Sequence, residues 1–363
     1  MKIRWPFKKI SYQNWLGINV SERSPSAVIY SAGKITAAKS FSQEEGIEAL
    51  ARWLKHHATG GMPTVLVLDD KDYELLLTEA PEVPDEELNA AIEFRIADLL
   101  MQPVEETAIQ AIRLPEDAYR GRMSMAHVIA VNNKIIESWV KWAEGLKLKV
   151  SLITVPELCL LNLLALLDVE QGIGLLELGS KQGSLRLYQA GALYLTRQVE
   201  VGIDVLELNL NSPAEEGLPA EIELEKLDAD IDVDNAIELE LELELPDRIV
   251  EPLDLAVSEY VSFSGKKKVN EQQLDSLILE IQRSLDYYES QLGMGQITRL
   301  WLMAENVDLA DLVEAMDMRL TAAVEQPVIS EMLEKVDFHL VDGNKYLNSV
   351  SVAIGGVLSY VGS

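Results

Sequence analysis

The sequence predicts an α/β fold made of two similar halves. Three observations carry this. A strand–turn–strand–turn–strand pattern occurs twice, about 160 residues apart, once from Trp15 to Phe41 and again from Gly174 to Val199. Each unit starts with a strand that is apolar on both faces. Helical stripes and further two-faced apolar strands follow, which is the pattern of parallel pairing. The composition is that of a packed globular chain, with 363 residues, 48% hydrophobic and 25% charged. That length buries two to four subdomain cores.

In the first unit, Trp15–Val20, Ala27–Ser31 and Lys34–Phe41 read as a meander with a tight turn at Ala32-Gly33. Ser42-Gln43-Glu44-Glu45 resembles a capping box and predicts a helix from about Ser42, with Ile47, Leu50, Ala51 and Leu54 facing inward. Thr64–Leu68 is a buried parallel strand. A compact inserted α/β unit occupies about 72–147: strands at Tyr73–Leu77, Ala108–Leu114 and Met123–Val131, and helices at about 84–99 and 133–146. The first of these helices places Leu88, Ala91, Ile92, Ile96 and Leu99 on one face. Lys149–Ile153 is a strand, and Pro156 opens an apolar helix.

The second half spans 171–363. Its meander uses Gly174–Gly179, Ser184–Tyr188 and Leu193–Val199, with a turn at Gly191. An acidic insertion at about 207–268 interrupts it. Glu238–Leu245 alternates acid and leucine, as an edge strand or a solvated loop would, and 264–268 reads as a linker. Then come a long helix at about 271–292, a strand at Ile297–Met303, a helix at Leu309–Leu320 and a last packed helix at about Val350–Val361. Gly355-Gly356 in that helix allows close backbone approach.

The net charge is −29 and the pI near 4.5. Such a charge argues against nucleic-acid backbone binding and against adsorption to an anionic lipid surface as general roles. Glu207–Glu259 alone holds 18 acids against two cations. The basic, aromatic start Met1–Lys9 departs from this balance and suits either a loose, solvated start or contact with lipid headgroups through Trp5 and Phe7. No signal core follows it, and the most apolar stretch, Leu152–Leu167, is too short to span a membrane. The single cysteine, Cys159, sits in an apolar run and reads as a buried thiol in a reducing compartment. The four histidines show no zinc spacing.

Duplicated meanders with helices and parallel strands mark the actin/Hsp70/sugar-kinase superfold, a duplicated ribonuclease-H-like α/β fold. More narrowly, the chain resembles the PilM family of type IV pilus assembly proteins, on its MSHA-type side. Leu16-Gly17-Ile18-Asn19, Pro84–Pro103, Leu176-Glu177-Leu178-Gly179, Thr196-Arg197 and Leu279–Tyr288 carry the resemblance. It covers most of the chain outside the acidic insertion. The resemblance implies a cytoplasmic scaffold at the inner face of the bacterial inner membrane. That scaffold grips the N-terminal peptide of a PilN-like inner-membrane protein, works beside other assembly components, and leaves motor work to separate ATPases.

Proteins of this superfold hold phosphates on the backbone of two hairpin turns, with a carboxylate near magnesium. The resemblance places the candidate nucleotide cleft at Asn19, Ser21, Arg23, Gly179, Ser180, Lys181, Gln182, Glu280, Arg283 and Ala304. The first turn is degraded. Asn19 lacks a charge, Ser21 replaces a glycine, and Glu22 adds a negative charge that Arg23 offsets. The second turn, Gly179–Gly183, keeps its glycines, and Lys181 suits a phosphate or a plain exposed turn. Glu280 and Arg283, at i and i+3, suit a nucleoside or an ordinary surface pair. Ala304-Glu305-Asn306 stands where the family has a glycine-rich adenosine turn. The sequence therefore predicts weak or absent ATP and magnesium binding and no enzymatic turnover. Three rivals share the fold: a sugar kinase or Hsp70-type enzyme, an FtsA-type division scaffold, and a GspL-like secretion component. The first lacks its acidic residue and its adenosine glycines. The other two need a membrane helix that the end of this sequence does not provide. A nucleotide-switched version of the scaffold is the remaining alternative.

Overall fold

The structure is a computed structural model describing residues 14–57, 59–167, 172–206, 269–304, 307–334, 339–340 and 347–361. The basic start, the acidic insertion with its Glu238–Leu245 alternation and linker, and Glu305-Asn306 lie outside the described residues.

The first sheet begins as the meander β1 (Asn14–Asn19), β2 (Ser26–Ser31) and β3 (Lys34–Ser40). Helix α1 (Gly46–His56) and β4 (Pro63–Val67) follow. The inserted unit holds β5 (Tyr73–Glu79), α2 (Asp85–Ile96), β6 (Thr107–Arg113), β7 (Met125–Asn132) and α3 (Asn133–Gly145). The chain returns through β8 (Lys149–Thr154) and α4 (Pro156–Leu164). The second half contributes β9 (Ile173–Leu178), β10 (Gly183–Gln189), β11 (Ala192–Val199), α5 (Ile203–Leu206) and α6 (Glu271–Ser290). It continues with β12 (Arg299–Ala304), α7 (Ala310–Asp317), β13 (Ala323–Glu325) and α8 (Ile329–Glu334). A two-residue strand β14 (His339–Leu340) and helix α9 (Leu347–Val361) complete it.

Apart from the extra edge strand β14 in the first, the two main sheets share one strand order. The first runs β14-β3-β2-β1-β4-β8 and the second β11-β10-β9-β12-β13, while β5-β7-β6 form a small third sheet. The duplication extends to backbone detail. The β2–β3 hairpin turns at Ala32 (φ 48°) and Gly33 (φ 88°), and the β10–β11 hairpin at Ala190 (φ 47°) and Gly191 (φ 77°). Two consecutive left-handed residues make the turn whose twist matches paired strands. Each hairpin also shifts register beside a tyrosine, at Ile29/Tyr30 and at Leu187/Tyr188.

Helices α4 and α9 pack together and share one core with residues of both sheets, including Val65, Val67, Leu175 and Trp301. Close approach is written into the glycines. A Cβ on Gly17 would lie 2.3 Å from the Ala353 carbonyl oxygen, and one on Gly355 would lie 2.1 Å from that of Cys159. Helix α9 thus lies on β1, β2 and β4 although it follows the second half in sequence. Cys159 is buried, and burial pushes its thiol far above the ordinary range.

Two expectations shift. The reciprocal Ser42–Glu45 bonds form, at 2.9 and 3.3 Å, but they close a turn ahead of the helix, which starts at Gly46 with φ 59°. Helix α2 ends at Ile96, so Leu99 leaves the buried stripe and is 58% exposed, whereas Leu88, Ile92 and Ile96 are buried. The inserted unit also reaches the second half. Leu114 and Ala118 join the core that holds Leu185 and Leu285. Arg120 donates to the Ser290 carbonyl at 3.2 Å.

Candidate functional site

Parallel strands β1 and β4 end side by side, and so do β9 and β12. The loops leaving these ends form the candidate site. In the first, the Asn19 side chain accepts the Ser21 N–H at 3.3 Å and the Ser21 hydroxyl accepts the Arg23 N–H at 3.3 Å. Asn19 is buried. Asp69, after β4, accepts the Glu22 N–H at 2.7 Å. Glu22 pairs with Lys71, so Lys71 joins Arg23 in offsetting its charge.

The second turn is closed on itself. The Gly179 N–H donates to the Gln182 carbonyl at 2.9 Å, and the Gln182 amide reaches Glu200 at 3.0 Å. The Gly179 and Ser180 carbonyls accept N–H groups of Ile203 and Asp204, each at 2.9 Å. Gly202 lies so tight against this turn that a Cβ there would sit 2.4 Å from the Lys181 carbonyl carbon. Lys181 is exposed.

Arg23 brings the two turns together. A Cβ on Gly179 would lie 2.5 Å from Arg23 Nη1, so the guanidinium lies against the backbone of the second turn. Ala304 pairs in register with Leu178, which places the end of β12 beside Gly179. Glu280 and Arg283 are carried on α6, which is anchored to β11 through Arg197 and Ser284 at 3.1 Å. Among the described residues no ion pair joins Glu280 to Arg283, and no hydrogen bond links either to the two turns.

The strongest feature of the cleft is one that sequence reasoning missed. Arg186, on β10, is 1% exposed. Its Nε donates to Glu157 at 3.2 Å, its Nη1 to Glu177 at 2.8 Å, and its Nη2 lies 3.9 Å from Asp70. Asp70 follows β4, Glu157 opens α4, and Glu177 lies on β9, so the guanidinium joins elements of both halves. Burial works against its charge, but Glu157 and Glu177 outweigh this and hold it well above the ordinary arginine value. The Tyr73 hydroxyl donates to Glu157 at 2.7 Å, and burial followed by the Glu157 charge raises that phenol well above its usual range. The only sequence signal was an arginine between Leu185 and Leu187 in an otherwise apolar strand.

Glu157 and Glu177 already neutralise an internal cation, and the Asn19 position offers no carboxylate.

No protein-family model and no curated protein matches the chain. Solved structures do. A chain of the PilM–PilN type IV pilus biogenesis complex superposes with a TM-score of 0.61 at 17% identity, covering 95% of this chain and 98% of that one. The fold is actin-like. A Bacteroides thetaiotaomicron protein with an actin-like ATPase fold and unknown function aligns at TM-score 0.45 and 9% identity, over 88% and 95% of the two chains. The cytoplasmic domain of EpsL from the Vibrio cholerae type II secretion system aligns at 0.38 and 16%, over 52% of this chain and 71% of that one. Within the actin-like frame, the two turns and the Arg186 cluster lie where the strand ends of the duplicated halves meet. No helix among the described residues is long and apolar enough to cross a membrane.

Proposed function

We propose that this chain is an actin-like scaffold of type IV pilus assembly, of the MSHA type. It grips the N-terminal cytoplasmic segment of a PilN-like inner-membrane protein and turns over no ATP. The likeness to a chain of the PilM–PilN complex over nearly the full length of both carries the pilus reading. The segments on which the resemblance rests, Pro84–Pro103 and Leu279–Tyr288, fall on α2 with the turn after it and on α6, in keeping with that reading. The second part of the proposal rests on Arg186 among its carboxylates and on Arg23 over Gly179. On this reading the protein works at the cytoplasmic face of the inner membrane, held there through its partner and beside other assembly components.

The test is a thermal-shift titration with Mg-ATP alongside a calorimetric titration with a synthetic peptide of the partner's N-terminus. The expected result is no ATP-dependent stabilisation and saturable peptide binding. ATP stabilisation with phosphate release above background, or absence of peptide binding, overturns the proposal.

A further inference from the structure

At the starts of β1, β4 and β8, one edge of the first sheet gathers cations in a chain that is acidic as a whole. Register places the starts of β1, β4 and β8 together, since Leu16 pairs with Thr64 and Pro63 with Lys149. The β2–β3 turn joins them, because Asn14 pairs with Ser31 and Ser31 with Lys34. Helices α1 and α3 pack on one face of this sheet and end at the same edge. The Gly61 N–H donates to the Lys147 carbonyl at 2.7 Å and the Lys149 N–H to that of Met62 at 3.1 Å.

In these strand starts, their turns and the last two turns of α1 and α3, the described residues include Lys34, Arg52, Lys55, Lys141, Lys147 and Lys149, all exposed. Glu144 is the single acid among them. The chain as a whole holds 31 Lys and Arg against 60 Asp and Glu. Helix dipoles account for a cation such as Lys55 in the last turn of α1. They do not account for Lys34 or Lys147, which sit at a hairpin turn and in a loop whose backbone is left-handed at φ 58°. Half-buried Trp53 and Trp142 lie in the same face. Tyr360, the last ring of α9, stacks on Trp15 at 4.2 Å and donates to the Ser151 carbonyl at 3.2 Å, so it too ends here. The chain also enters β1 from this edge. Residues 1–13, outside the described residues, carry Lys2, Arg4, Lys8 and Lys9 and no acid.

We infer that this edge is a docking surface for an anionic lipid bilayer. Clustered cations lie against the negative headgroups, and tryptophan and tyrosine sit at headgroup depth. The inference does not depend on the identity of the pilus partner. It gives the scaffold a fixed orientation on the membrane of its own.

The test is flotation of the full chain with vesicles of phosphatidylcholine alone and of phosphatidylcholine mixed with phosphatidylglycerol. The wild type is expected to float with the anionic vesicles, not the neutral ones, and to be released by raised salt. Lys34→Glu/Lys55→Glu/Lys147→Glu is expected to weaken binding about a hundredfold, from roughly one kcal/mol for each cation near the surface. Arg95→Glu/Arg122→Glu/Lys134→Glu changes net charge equally on the inserted unit and is expected to stay within a few-fold of wild type. Lys55→Gln/Lys147→Gln, which removes charge without reversing it, is expected to lose about thirtyfold and keeps the test valid should the reversal unfold the chain. Equal loss in the control variant, wild-type binding to neutral vesicles, or binding to heparin but not to anionic vesicles overturns the inference.

Discussion

Replacing Arg186 with methionine removes the guanidinium while keeping most of the side-chain volume. In the wild type, Arg186 and Glu157 are 1% and 6% exposed and lie 3.2 Å apart. Without the cation, Glu157 becomes a buried carboxylate with the Tyr73 hydroxyl still donating to it. Stranding one member of such a pair costs about 3–5 kcal/mol. Glu177 and Asp70 add little, because their side chains are 42% and 39% exposed and water screens them. Pairs of that kind contribute about 0–1 kcal/mol each. The expected loss for Arg186→Met is therefore about 4 kcal/mol, dominated by Glu157. Adding Glu157→Gln neutralises the stranded carboxylate, so the double variant is expected to recover about 2 kcal/mol of that loss, within the range of coupling between contacting residues. Urea denaturation, followed by tryptophan fluorescence and by circular dichroism, reads both quantities. The reasoning is refuted if Arg186→Met stays within about 1 kcal/mol of wild type, or if the double variant is no more stable than Arg186→Met alone.

Three further outcomes follow from the same contacts. Buried His127 lies 3.0 Å from the Leu193 carbonyl through Nε2, and burial lowers its pKa below 6.5, against opposing contributions from that hydrogen bond and from the Glu157 charge. The unfolded chain then binds the proton first, so the stabilisation is complete above about 6.5 and fades as pH falls toward the folded value. His127→Gln, which keeps a donor for Leu193, should flatten that slope in melting curves taken across mildly acidic pH. Gly17→Ala and Gly355→Ala each push a methyl into a backbone oxygen, and each should cost about 1–3 kcal/mol or more in urea unfolding. Gly145→Ala, which meets open space at the end of α3, should be neutral or stabilising by a few tenths, about 0.5 kcal/mol at most. Arg120→Ala removes the side chain lying over Gly293 and its bond to Ser290. A loss of about 1 kcal/mol is expected, with faster proteolysis between Glu116 and Arg122; unchanged cleavage would show that this contact does not hold the inserted unit to the second half.

Much of the fold is legible in the sequence because local chemistry and global pairing agree. Tyr30-Ser31-Ala32-Gly33 and Tyr188-Gln189-Ala190-Gly191 repeat one hairpin solution, and the two-faced apolar strands at Thr64 and Ile173 become the parallel members. The stripe on α6 buries Leu274, Leu277, Ile281, Leu285 and Tyr288, though Ile278 is only half-buried. Leu99 misled because helical spacing says nothing about where the backbone stops being helical. The placement of β14 and α9 on the first sheet was not visible, since a two-residue strand has no periodicity and the contacts of α9 join distant segments. The two turns of the candidate site were legible as local structure, at Asn19 and at Gly179–Gly183. The site was not legible where it depends on meetings between elements. Arg186, Glu157, Glu177 and Asp70 each look unremarkable locally, and their charges acquire meaning only when both halves close around them. Lys71 and Arg23 were the same kind of case: the sequence showed the charges, and the fold decided which carboxylate and which backbone they cover.

The central claim is a scaffold that recognises its partner without nucleotide. Its most direct test is a calorimetric titration of the PilN-like N-terminal peptide into full-length protein, kept nucleotide-free in EDTA and repeated with Mg-ATP. The account predicts saturable binding of the same affinity in both titrations. Binding that appears only with Mg-ATP would contradict it and would make the cleft a working nucleotide switch.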